Sequence, residues 1–410
     1  MEFRQILFLI IFMSILALPD IYIFFSRIGR AFKSKWAKRT WNIVFWTFFV
    51  AQWSCLVSLF VIGETRGISS FTVNMLRIGF VAIFVSKLVM VTVLLLGHIF
   101  RLGEKIFTNR KHDEPGVSKR RDFIKKAGIV TASIPFLSFI HGLTMGKYSY
   151  KVRKQTLHFK DLPEAFDGFT IAQFSDFHAG TFDSMSGVTK GVELLNQQNA
   201  DLILFTGDLV NALAEEAKPY TELLNTLTSE YGQYAVLGNH DYGWGRNRGE
   251  EVEKDIRDVF DECGLTLLNN ENIKLEKGGE SIRIVGVENW GHSKWFPKRG
   301  DLDKAYVDVK DGEFNVLMSH DPSHWREKVL DFKKHVHLTL SGHTHGMQFG
   351  FRFGNFKWSP SKYSYPEWGG LYTEKDGQNL YVNCGFGMLN GFPIRIGIDP
   401  EITVFELKKA

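Results

Sequence analysis

The chain has 410 residues, 44% hydrophobic and 23% charged, with a formal net charge of +4. That length accommodates two or three domains, which excludes one uniform reading. Residues 1–146 carry 19 Lys/Arg against 7 Asp/Glu, and the remainder carries 30 against 38, so the average hides a basic and a mildly acidic half. The positive charge lies between hydrophobic runs and the acidic half has no basic stripe, so nucleic acid is not an expected partner.

In the first half, three stretches reach the ~30 Å of hydrocarbon that about 20 apolar residues cross as helix. They run from Ile6 to Phe25, from Trp41 to Ile62 and from Ile78 to Phe100. A fourth, from Ala127 to Leu143, is shorter and contains Ser133, Pro135 and Ser138. The loop after the first span holds Arg27, Arg30, Lys33, Lys35, Lys38 and Arg39 without an acid, and residues 101–126 are again rich in Lys and Arg. The loop GETRGISSFTVN between spans two and three is nearly neutral. Positive loops mark the cytoplasmic side, so this alternation predicts an integral protein of a bacterial inner or plasma membrane. Its N-terminus and everything after the fourth span are expected outside. Lys87, inside the third span, is expected to snorkel or to face another helix. The flank Lys119-Arg120-Arg121-Asp122-Phe123-Ile124-Lys125 resembles a twin-arginine export signal, while a plain positive-inside flank gives the same sidedness.

From Lys147 the pattern changes to short strands alternating with helices, which predicts an α/β domain. Strands are expected at Thr170–Ser175, Leu202–Thr206, Gln233–Leu237, Ile282–Val287, Val316–Ser319, His337–Ser341, Leu380–Val382 and Thr403–Glu406. Helices are expected at Ser184–Asn199 and Ala214–Glu230. The predicted organisation is a transmembrane module over 1–100, a basic linker with the fourth span over 101–146, and a catalytic domain over 147–410. Of the three cysteines, Cys55 lies in an apolar run, and Cys263 and Cys384 fit no metal-binding spacing. One Cys263–Cys384 disulfide stays open.

Five polar clusters each end an apolar strand: Ser175-Asp176-Phe177-His178, Thr206-Gly207-Asp208, Gly238-Asn239-His240-Asp241, Ser319-His320-Asp321 and Ser341-Gly342-His343-Thr344-His345. Residues two apart in extended chain project to one side, so Asp176 and His178 are expected to converge. Singly, each cluster reads as a turn or helix cap. Together they supply carboxylate, amide and imidazole without thiolate, a donor set that suits a pair of Mn, Fe or Zn ions.

The order D-x-H, G-D, G-N-H-D, H, G-H-x-H resembles the calcineurin-like metallophosphoesterase superfamily over roughly Gln155 to Leu407. That resemblance implies a β-sandwich flanked by helices, preceded here by an all-α module of three to four transmembrane helices. It implies one ion held by Asp176, His178, Asp208 and His345, and another by Asp208, Asn239, His320 and His343. It gives His240 the role of protonating the leaving oxygen or stabilising the phosphoryl charge, with Asp241 as its orienting partner. The tail, with Gln348, Pro360 to Tyr363, Pro393-Ile394-Arg395 and Pro400-Glu401-Ile402-Thr403, resembles a membrane-linked exported branch of that superfamily. Met347 and Lys362 depart from it, where glycine and arginine are usual.

The implied function is metal-dependent hydrolysis of a phosphodiester, pyrophosphate or phosphomonoester, with a lipid-linked substrate among the candidates. A UDP-2,3-diacylglucosamine hydrolase of lipid A biosynthesis is the alternative, and it requires a cytosolic domain. A non-catalytic membrane receptor on the same fold is the third reading, against which every expected ligand position is filled. Trp244, Trp290, Trp295, Trp358 and Trp368 are expected either in the core or as a rim toward membrane or a lipid substrate.

Overall fold

The structure is a computed structural model that describes residues 3–62, 70–107, 115–243, 249–353, 356–374 and 376–410. Trp244, residues 63–69 of the neutral loop and residues 108–114 of the basic linker lie outside the described residues. The chain divides into Met1–His141 and Gly142–Ala410.

The first unit is built from α1 (Phe3–Phe25), α2 (Lys35–Ile62), α3 (Ser70–Phe107) and α4 (Pro115–Thr144). All four helices are long and apolar enough to cross a membrane. The shortest has 23 residues, about 34 Å at 1.5 Å per residue. Their outward faces carry Ile15, Leu18, Val50, Leu96 and Ile134 exposed, a surface that lipid tails satisfy and water does not. The fourth span is therefore not short: its helix starts twelve residues before Ala127 and includes the Arg120-Arg121 pair. Arg120 donates to Glu104 of α3 (Nη2 to Oε2, 2.5 Å).

Of the two expectations for Lys87, facing another helix is the one realised. Lys87 pairs with buried Asp20 of α1, which also accepts from Trp53 Nε1 at 3.4 Å. A charge in hydrocarbon is tolerable when an opposite charge neutralises it, and α1 supplies that acid.

The second unit is a two-sheet sandwich. One sheet has the order β1-β14-β2-β3-β4-β5, with β1 Lys151–Phe159, β2 Thr170–Phe174, β3 Leu202–Phe205, β4 Gln233–Ala235, β5 Thr266–Leu267 and β14 Glu401–Lys409. The other has the order β12-β13-β9-β8-β7-β6. Its strands are β6 Glu271–Lys277, β7 Glu280–Gly286, β8 Asn315–Met318, β9 Leu338–Ser341, β12 Gly370–Thr373 and β13 Asn379–Val382. A hairpin of β10 Phe351–Phe353 and β11 Phe356–Trp358 stands apart. Strands β2, β3 and β4 run parallel, as do β7, β8 and β9. The runs LILF, NVLM and LTLS are buried throughout, as strands covered on both faces must be.

Between the sheets, Ile171, Leu202 and Leu204 pack with Ile284, Val316 and Leu338. Outside the first sheet, Phe174, Ile203 and Phe205 receive Val188, Val192 and Leu195 of α5 (Met185–Asn196). Ser184 caps α5 by accepting from Gly187 N at 3.2 Å, which fixes where the helix starts.

The helix expected over Ala214–Glu230 is broken into short turns and α6 (Thr221–Leu224). Pro219 removes a backbone donor there. Glu216 turns back to accept from the amides of Asn211, Ala212 and Leu213 instead of lying on a helix face. Helix α7 (Glu250–Glu262) was not anticipated. Cys263 and Cys384 are both free thiols, so the disulfide left open does not form.

Candidate metal centre

The parallel strands of both sheets deliver their following loops to one place. Asp176 and His178 follow β2, Asp208 follows β3, Asn239 and His240 follow β4, His320 follows β8, and His343 and His345 follow β9. Asp176 and His178 converge, but not through extended chain. Both adopt left-handed φ, +53° and +48°, as do Asp208 (+60°), His343 (+71°) and His345 (+49°). Non-glycine residues held in this sparsely populated region concentrate where a site is over-determined by its surroundings.

Two glycines make the close approach feasible. A Cβ on Gly238 would sit 2.2 Å from Asp208 Oδ1, and one on Gly342 would sit 2.3 Å from Asp176 Oδ2. No side chain fits at either position.

The described residues bring together Asp176, His178 and His345, then His178, Asp208 and His240, then Asp208, His320 and His343, each trio with donor atoms within 4.8 Å. His345 Nε2 lies 3.1 Å from Asp176 Oδ1. Asp208 Oδ2 lies 3.1 Å from His320 Nε2 and 3.6 Å from His178 Nε2. Asp176, His178, His320 and His345 are fully buried, and Asp208 and Asn239 nearly so.

Among the described residues, His178 Nε2, His345 Nε2 and both side-chain atoms of Asn239 are buried without a hydrogen-bond partner. Each such orphan costs about 1–3 kcal/mol. Their convergence on two carboxylates is the pattern that bound cations relieve, so the donor set fits a metal centre.

Electrostatics agrees. Burial opposes ionisation of Asp176, and the neighbouring His345 outweighs it, holding the carboxyl below its usual range. Asp208 is held well below that range by His320 and His240, again against burial. Burial pushes His178 down to about 3 and also lowers His343 and His345. Burial thus favours neutral imidazole at all three, the form that ligates metal. His320 is the exception: burial opposes its charge, but adjacent Asp208 wins and raises it to about 10.

Asp241 has a different task from the one expected. Its carboxylate accepts from the backbone amides of Asp208 (2.7 Å), Gly238 (2.9 Å), Leu209 (2.9 Å) and Val210 (3.3 Å). It ties the loops carrying Asp208 and Asn239 together. Burial and the charge of Asp208 push it up to about 7. The His240 ring is held instead by the Asn211 carbonyl, 2.8 Å from Nδ1.

Asn211 was missed, although its side chain also meets His178 Nδ1 at 3.0 Å. A polar residue closing the apolar pair Leu209-Val210 after Asp208 was the available signal. Tyr365, whose hydroxyl lies 2.7 Å from His343 Nε2, had none. Buried Arg395 donates to the Cys384, Gly385 and Gly387 carbonyls and lies 3.5 Å from His345 Nδ1. Such outer partners orient ligands.

A family model described as "Calcineurin-like phosphoesterase" matches residues 169–347, and one described as "Probable Calcineurin-like phosphoesterase, transmembrane domain" matches residues 4–147. A Helicobacter pylori protein named as an uncharacterised metallophosphoesterase is 30% identical over 269 residues, covering 66% of this chain and 67% of its own length. The uncharacterised metallophosphoesterase YkuE of Bacillus subtilis is 29% identical over 303 residues, 70% of this chain and 97% of its own. A Danio rerio protein named "Transmembrane protein with metallophosphoesterase domain" is 25% identical over 419 residues, 99% of this chain and 90% of its own. The four membrane-length helices and this last relative support membrane integration. With strand-end clusters, sandwich and matched models in agreement, the chain belongs to the calcineurin-like metallophosphoesterases, a hydrolase family, and carries a transmembrane domain ahead of its catalytic fold.

Proposed function

We propose that the chain hydrolyses a phosphoester with water at a centre of two divalent ions, Mn, Fe or Zn. The observation that carries this reading is the set of orphaned buried atoms on Asn239, His178 and His345 around Asp176 and Asp208. In this reading Asp176, His178, Asp208 and His345 hold one ion, and Asp208, Asn239, His320 and His343 hold the other. Asp208 would serve both, since its Oδ2 faces His178 as well as His320.

When bound, such an ion pair stabilises charge on phosphoryl oxygens and lowers the pKa of water. His240 lies at the edge of the cluster, half-buried, with Nδ1 fixed by the Asn211 carbonyl. In this reading its Nε2 holds the proton the departing oxygen needs. Asp241 keeps the two loops in register through their amides, and Asn211 aligns His178 and His240 together.

The test uses the full-length chain in detergent after chelation. An aryl phosphodiester should turn over only once Mn, Fe or Zn is restored. Undiminished turnover by the chelated protein contradicts the reading.

The charge of the loops supports a catalytic domain outside the membrane, facing phosphoesters at its outer surface, lipid-linked ones included. The lipid A alternative requires a cytosolic domain and draws no support from the relatives named above. A reporter active only outside should work when fused after Lys147 and stay silent when fused at Lys111. The reverse pattern returns the domain to the cytosol.

A further inference from the structure

Residues 346–365 contain Arg352, Lys357 and Lys362 and no acid. Among the described residues of Gly142–Ala410, ten large hydrophobic side chains are exposed, and six of them lie in this segment: Met347, Phe349, Phe351, Phe353, Phe356 and Tyr363. Phe353 is 86% exposed and Tyr363 76%.

From Phe349 through β10 the exposed positions alternate, so one side of this extended run is apolar and faces out, and Met347 is exposed in the turn before it. The inward side is polar. Gln348 donates to the Phe392 and Ile394 carbonyls (2.8 and 2.9 Å) and accepts from Leu389 N at 2.6 Å. Arg352 meets buried Glu401 at 3.2 Å. This inverts the pattern of a sheet with one face in water. The rings pack on one another, Phe351 at 5.5 Å from Phe356 and 5.7 Å from Trp358, and form a ridge anchored by polar bonds beneath.

We propose that the described residues of segment 347–363, with their exposed rings and exposed Lys362, form a docking element that seats the catalytic face on a lipid bilayer. The same chain supplies four membrane-length helices, so a bilayer is always within tether reach of this domain. Aromatic rings with adjacent Lys or Arg suit the headgroup boundary, where one end of a side chain is apolar and the other wet. A second copy is the competing occupant, and the test below separates it from a bilayer. The element starts two residues after His345, and Tyr365 just beyond it touches His343. Docking therefore turns the metal centre toward headgroup phosphates. Of the tryptophans expected in the core or at a rim, Trp368 is buried and Trp295 is exposed outside this segment.

The test places a spin label at Phe353→Cys in the full-length chain on a Cys55→Ser background, Cys263 and Cys384 being buried. A second label at Val307→Cys, also exposed, serves as reference. In vesicles of phosphatidylcholine with phosphatidylglycerol, the label at 353 should be open to oxygen and shielded from a water-soluble nickel chelate. The label at 307 should stay open to the chelate. Adding Phe356→Asp should expose the label at 353. Equal chelate access at 353 and 307 overturns the proposal. Shielding accompanied by dipolar coupling between labels of two chains also overturns it and assigns the ridge to a second copy.

Discussion

Replacing Asp208 with asparagine is expected to empty at least one metal position and to lower kcat/KM on the order of 10³-fold, the scale of the several kcal/mol that bound cations supply. The substitution keeps shape in a place where shape is constrained, since Gly238 leaves Oδ1 no spare room. What it removes is charge. Asp208 Oδ2 faces both His320 and His178, and Oδ1 accepts from His240 N at 2.8 Å. Without the carboxylate, the cations would lose the anion they share. Metal content, turnover and thermal unfolding measured on one preparation separate these effects. A folded Asp208→Asn protein with unchanged metal and turnover would place the shared ligand elsewhere.

Replacing His240 with alanine is expected to keep the metal and lose turnover by about 10²–10⁴-fold on an alkyl phosphoester, the usual worth of a positioned acid. On a p-nitrophenyl ester, whose leaving oxygen needs no proton, the loss should shrink to about tenfold or less. The contrast between the two substrates identifies proton donation, because a general disturbance lowers both alike. His240 also joins His178 and Asp208 in one of the three trios. Loss of metal from His240→Ala would therefore make it a ligand and require another group as the acid.

The strands that position the site were legible because burial on both faces leaves uninterrupted apolar runs, such as Leu202–Phe205 and Asn315–Met318. The seven residues proposed as ligands were legible because each ends such a run, and the loops do converge. The reason given for Asp176 and His178 was not right: alternation in extended chain was expected, and left-handed turns do the work. Backbone sign leaves no trace in residue type when aspartate and histidine adopt it. The break at Pro219 was visible but outweighed by helical spacing around it. Asp241 adjoins His240 in sequence, which suggested a side-chain pair, whereas its oxygens are taken by four amides from two loops. Asn211, Tyr365 and Arg395 act across distances that only the fold closes. The Asp20–Lys87 pair spans 67 residues and two helices, which no local pattern reveals.

The central claim is a two-ion centre, and the most direct measurement is metal content per chain of the purified full-length protein by plasma mass spectrometry. The account predicts two divalent ions per wild-type chain and at most one in Asp208→Asn. A folded wild-type chain that holds none after incubation with Mn, Fe and Zn would contradict it.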